Sequence, residues 1–247
     1  MNDLVYYILS ALAAVIILTV HEYSHGYAAY KLGDNTANSL GRLTLNPIKH
    51  IDPLGALCML LFHFGWAKPV PIDLRYFKKP RRDFAIVAAA GPLSNLTLAF
   101  FTAPLVALVY KYAATNVPTT EYMKNFVVIG YNFLYIFLIM NIGIAIFNLI
   151  PLPPLDGSRI LGLILPPKLY YKILRHERTI YLIFLGWLLF SSTIARFLLS
   201  IPLIGNNATL SKIIEWISLS GFLGNIINYV SRGFLAFWKL ILPFLRV

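Results

Sequence analysis

Residues 84–112 and 126–150 are almost unbroken apolar runs, each longer than the ~20 residues a helix needs to cross a bilayer. In hydrocarbon every backbone N–H and C=O must be satisfied by the segment itself or by a closed barrel. Runs of this length are too long for barrel strands of ~9–11 residues, so they must be helices. Two further runs, 4–30 and 179–204, have the same character, and a weaker one at 210–229 is broken by Gly221 and Gly224. The chain is 58% hydrophobic and 13% charged, where globular chains are about 45–50% apolar and about 25% charged. A chain of 247 residues cannot hide that much apolar surface from water. The reading is an all-α polytopic membrane protein with about five to six transmembrane helices.

The net charge of +11 lies mostly in loops between these runs: Arg75, Lys78, Lys79, Arg81 and Arg82 before residue 84, and Lys168, Lys172, Arg175 and Arg178 after residue 150. Such clustering marks the cytoplasmic side of a membrane. It lacks the basic, aromatic-interleaved module that nucleic-acid binding uses. With both loops cytoplasmic, the 84–112 span runs outward, the 126–150 span returns, and the first helix ends inside. Residues 51–66, apolar but too short to span, must then dip in and return, with Gly55 and Gly65 allowing bends. The polar stretch before them, residues 31–50, reads as turns with a short edge strand at Arg42-Leu43-Thr44-Leu45, where the residues alternate. The tail from residue 232 reads as an amphipathic, interfacial segment. Cys58, the sole cysteine, excludes an intrachain disulfide. Polar His21 and Glu22 stand where a signal peptide would need a small-residue cleavage site.

The first run ends in His21-Glu22-Tyr23-Ser24-His25, an H-E-x-x-H pattern. On a helix, positions i and i+4 share one face, so the two imidazoles can bind one tetrahedral zinc. Glu22 beside them is placed to take a proton from a water activated there. Two surface histidines at a helix end are the plain alternative, but polar groups at the end of a membrane helix need partners. Catalytic zinc takes a third protein ligand. Among ten acidic residues, Asp156, in Asn148-Leu149-Ile150-Pro151-Leu152-Pro153-Pro154-Leu155-Asp156-Gly157, is the best candidate. An Asp-Gly pair is also a common turn, while Gly157 permits close backbone approach.

Three motifs in this order resemble the site-2 protease family of intramembrane zinc metalloproteases. They are His21 to His25 at the end of a membrane helix, Gly91-Pro92-Leu93-Ser94-Asn95 opening the next full span, and Asn148 through Gly157 closing another. The likeness covers roughly residues 12–161. Residues 41–47 and 65–71 are similar to a compact prokaryotic branch without a PDZ or nucleotide-sensing domain. The resemblance implies a three-helix catalytic core, one zinc held by His21, His25 and Asp156, Glu22 as catalytic base, and Asn148 donating to the scissile carbonyl or its oxyanion. It also implies single-span membrane proteins as substrates, a prokaryotic cell membrane, and an active site towards the cytoplasm. Residues 1–165 would form the protease core and 166–247 the remaining transmembrane and interfacial helices of the same domain.

A divalent-metal transporter would also place His and Asp in membrane helices, and a non-catalytic relative could merely bind membrane segments. Glu22 separates these readings, being needed as a base only by the protease. Asn95 is equally readable as a site residue or as a helix-bridging amide, and Asn141 as a helix bridge. Gly91 and Pro92 read as close packing and a helix start. His50, His63 and His176 stand outside the motif set. The sequence names neither the substrate nor the oligomeric state.

Overall fold

A computed structural model describes residues 2–62, 65–115, 120–201 and 206–245, and regular structure among them is helical throughout. The first helix, α1 (Asp3–Lys31), starts where the Asn2 side chain accepts from the Leu4 N–H. It stops at Leu32 and Gly33, whose φ of 109° is open to glycine but not to most side chains. Buried Asp34 then ties this end down, accepting from the Thr36 N–H (2.9 Å) and from the Asp73 N–H (2.8 Å). A single turn, α2 (Thr36–Ser39), and a short helix, α3 (Pro53–Phe62), lead to α4 (Pro80–Thr115) and α5 (Glu121–Leu149). The rest is α6 (Asp156–Ile164), α7 (Pro167–Arg175), α8 (Glu177–Ser200), α9 (Ala208–Ile217) and α10 (Leu219–Ile241).

At 36 residues, α4 is the central post, with α1, α5, α6 and α10 packed around it. Lipid offers no hydrophobic drive for helices to associate, so contact depends on close approach of small residues. A stripe four residues apart meets that need: Gly91, Asn95, Ala99, Ala103 and Ala107 are all buried. Ala99, Ala103 and Val106 meet Leu138 and Ile142 of α5, with Phe234 and Trp238 of α10 against them. Leu9, Ala13 and Ile17 of α1 meet Ile136 of α5. Two prolines, Pro92 and Pro104, lie inside α4. Pro104 has no N–H for the Phe100 carbonyl one turn earlier, and the Trp238 indole N–H donates to that carbonyl at 2.8 Å.

Three described helices, α1, α4 and α5, are long and apolar enough to cross a membrane. Of the expected runs, those at 4–30, 84–112 and 126–150 reappear in these three, with α4 beginning earlier than residue 84. Pro80 opens it, and Asp83 accepts from the Lys79 N–H at 2.9 Å, so charged Arg81, Arg82 and Asp83 sit in its first turn. Three further expectations are corrected. Residues 42–45 form bends and no strand: Arg42 reaches the Lys68 and Pro69 carbonyls through its guanidinium (2.9 and 3.1 Å). Among the described residues the pairing that forms is one antiparallel bridge, Ile51 to Ala67. Residues 156–175, read as loop, are two helices, since Pro167 at the first position of α7 starts a helix as readily as it ends one. Finally, the division near residue 230 falls instead at Ser218, which caps α10 by accepting from the Gly221 N–H; α10 continues to Ile241 against α4 and α5.

Candidate metal centre

Every fourth residue of α1 from Leu9 to Ala29 is buried: Leu9, Ala13, Ile17, His21, His25, Ala29. The two histidines thus continue an apolar stripe, facing into the protein where lipid-facing positions would leave them without partners. They face α4, which runs antiparallel and presents Val87, Gly91 and Asn95, also four apart. The missing side chain at Gly91 makes room for the rings, because a Cβ there would stand 2.4 Å from His25 Nε2 and 2.7 Å from His21 Cε1. Gly91 and Pro92 therefore lie well inside α4, serving close packing and not the helix start.

Asp156 comes from across the bundle. It is the first residue of α6, delivered by the 150–155 loop, and Gly157 is packed so tightly that a Cβ would stand 2.3 Å from the Leu149 carbonyl. Arg81 holds the far end of α6 by donating to the Gly162 and Leu165 carbonyls, the latter at 2.6 Å. The expected trio converges: His21 Nε2 and His25 Nε2 are 3.0 Å apart, and Asp156 Oδ2 is 3.3 Å from each. Donor atoms on a tetrahedral zinc with bonds of about 2.05 Å stand about 3.3 Å apart. Burial alone would raise the Asp156 pKa, but hydrogen bonds and charge from His21 and His25 more than reverse this and hold it at about 2. The carboxyl is thus ionised at neutral pH.

Tautomers sharpen the fit. His25 Nδ1 lies 2.7 Å from the Val87 carbonyl, which can only accept, so Nδ1 carries a proton, and the ring once neutral, as a metal would need it, turns an Nε2 lone pair inward. A lone pair, a second imidazole nitrogen and a carboxylate oxygen pointing at one spot repel each other unless a cation lies between them. Among the described residues, these three form the group of His, Cys, Asp or Glu side chains close enough to hold a metal ion. The trio is not sealed. Side-chain exposure is 5% and 9% for the histidines and 20% for Asp156, so the carboxylate is the more open of the three although its Oδ2 is buried.

Glu22, half-buried, accepts from the Val70 N–H at 2.9 Å, fixing one carboxylate oxygen against the 65–73 segment. Asn148 sits on the last turn of α5 and donates one amide hydrogen to the Ile144 carbonyl (3.0 Å), leaving its second for another acceptor. Asn95 stands 3.2 Å from His21 Nδ1. In the sequence it closed the Gly91–Asn95 motif but was equally readable as a helix bridge, while the Val87 carbonyl and Val70 N–H, being backbone, left no trace. Asn141 does not bridge helices through its amide nitrogen, which donates within α5 to the Phe137 carbonyl at 2.8 Å. His50 is buried, donating to the Thr44 carbonyl at 2.7 Å and taking no place in the trio. His176 lies between α7 and α8, and His63 lies outside the described residues.

A membrane bundle with an H-E-x-x-H helix and a converging carboxylate defines a metallopeptidase class, and sequence comparison names it. Residues 9–191 match the model of peptidase family M50, and the chain belongs to that site-2 protease family. It is 42% identical over 190 residues to a Bacillus subtilis protein named "Putative zinc metalloprotease YwhC", covering 75% of this chain and 84% of that one. "Putative zinc metalloprotease Rip2" of Mycolicibacterium smegmatis is 28% identical over 144 residues, 57% of this chain and 51% of its own. "Zinc metalloprotease MJ0392" of Methanocaldococcus jannaschii is 25% identical over 171 residues, 69% and 38% respectively. No solved structure matches. The chain is an integral membrane metalloendopeptidase.

Proposed function

We propose that this protein is a zinc-dependent endopeptidase that hydrolyses peptide bonds within the membrane-embedded segments of single-span proteins. The observation that carries this reading is the convergence of His21 Nε2, His25 Nε2 and Asp156 Oδ2 at separations of 3.0–3.3 Å inside a bundle of apolar helices. These three atoms would hold one zinc, leaving a fourth position open. Bound zinc would lower the pKa of water towards ~7 and polarise a carbonyl oxygen.

The remaining chemistry belongs to the chain. The Val70 N–H holds one oxygen of Glu22, leaving the other to take a proton from the attacking water and pass it to the leaving amine. The second amide hydrogen of Asn148 is available to the scissile carbonyl, a contribution of the oxyanion-hole type worth about 10²–10³ in rate elsewhere. A helical peptide bond is shielded by its own backbone, so substrate must unwind locally before it reacts.

The basic loops support a site towards the cytoplasm of a prokaryotic cell membrane, with α8 and α10 adding crossings to the three apolar helices. On this topology residues 51–66 dip in and return, consistent with the Ile51–Ala67 bridge. The decisive test compares wild type with Glu22→Gln on single-span peptides in detergent, with zinc measured in both. Equal zinc with cleavage by wild type alone is expected. Cleavage by Glu22→Gln at the wild-type rate overturns the role of Glu22, and absence of zinc from wild type overturns the site.

A further inference from the structure

We infer that Asn95 is a positioning residue for the metal site: through its amide oxygen it accepts the proton on His21 Nδ1 and so aims the His21 Nε2 lone pair at the metal. The inference rests on the metal-site reading above and extends it to a residue outside the ligand trio.

Four observations carry it. Asn95 is completely buried in the bundle, where an amide is costly unless both its ends are satisfied. Its amide nitrogen position lies 3.2 Å from His21 Nδ1, across the α1–α4 contact. Its oxygen, on the other side of the amide, is buried with no hydrogen-bond partner. And once Nε2 of a neutral imidazole is turned to a cation, Nδ1 carries the ring's proton and needs an acceptor. An amide is nearly symmetric in shape, so the same side-chain position presents either its nitrogen or its oxygen to His21. The oxygen is the end that satisfies His21 Nδ1–H and itself at once.

The arrangement matches that of the other histidine. His25 Nδ1 donates to the Val87 carbonyl at 2.7 Å. Val87 and Asn95 lie eight residues apart on one face of α4, two turns, while His21 and His25 lie one turn apart on α1. Gly91 stands midway and leaves space for both rings. One helix thereby supplies a separate acceptor to each imidazole, one from backbone and one from side chain. Only the second can be altered by mutation without disturbing the chain itself. Acceptors of this kind fix the tautomer and raise ligand basicity, and their removal costs about 10–100-fold in metal affinity.

The test is zinc competition against a graded chelator by the purified full chain in detergent, with the visible spectrum of the Co²⁺-loaded protein recorded in parallel. Asn95→Leu removes the acceptor at similar volume, and Asn95→Asp restores one. Expected are a loss of about 10–100-fold in zinc affinity with an altered Co²⁺ spectrum for Asn95→Leu, and near wild-type affinity with a tetrahedral spectrum for Asn95→Asp. Asn95→Leu holding zinc as tightly as wild type overturns the inference. So does Asn95→Asp losing zinc as badly as Asn95→Leu, since Asn95 would then act through shape alone. A wild type that holds zinc but cleaves nothing would count against the protease reading and leave this inference standing.

Discussion

At the residue scale the site depends as much on an absence as on its donors. Gly91 has its Cα where any side chain would meet both imidazoles, so Gly91→Ala should displace His25 and His21 together. A fall of about tenfold or more in zinc affinity is expected, the scale seen when imidazole orientation is lost, measured by zinc content after dialysis against a chelator. The pattern His21-Glu22-Tyr23-Ser24-His25 was legible in the sequence because helical spacing puts donor atoms on one face whatever surrounds them. Asp156 was legible only by elimination among few acids, and its neighbour Gly157 by the tolerance of glycine for close backbone contact. Asn95 was ambiguous for a physical reason: a buried amide bridging two helices and one serving a ligand have the same sequence signature. The acceptors from Val87 and the donor at Val70 belong to the main chain and have no signature.

At the element scale the third donor is only as well placed as the short helix that begins with it. Helix α6 is anchored at its start by the contact of Gly157 with the end of α5 and at its finish by Arg81. Arg81→Met should free the last carbonyls of α6 and cost about 1–2 kcal/mol, because hydrogen bonds from a charged donor exceed neutral ones. The check is a lower midpoint in an unfolding titration in detergent, with faster zinc loss than wild type. Helices α6 and α7 escaped the sequence reading because nine-residue segments flanked by prolines are too short for periodicity to speak. The long helices were readable because hydrocarbon forces a helix wherever an apolar run exceeds its thickness. The false strand at 42–45 shows the opposite case, four residues of alternation with no neighbour to pair with.

At the scale of the whole molecule, α4 touches both the site and the end of the chain. Trp238 of α10 donates to the Phe100 carbonyl that Pro104 leaves free. Trp238→Phe keeps the ring contacts with Phe100 and Phe101 but removes the donor. A loss of about 1 kcal/mol is expected, near the scale of side-chain hydrogen bonds between membrane helices, read as a lower midpoint of thermal unfolding in detergent. The same bond bears on biogenesis. Synthesis runs from the N-terminus, so α4 enters the bilayer well before residue 238 exists, with an acceptor exposed part-way along its length. Until the last helix arrives, that carbonyl must find a temporary partner: a water drawn into the membrane, or a polar group of the insertion machinery. A chain stalled or clipped before residue 238 would keep that acceptor unpaired by Trp238 for as long as it lasted.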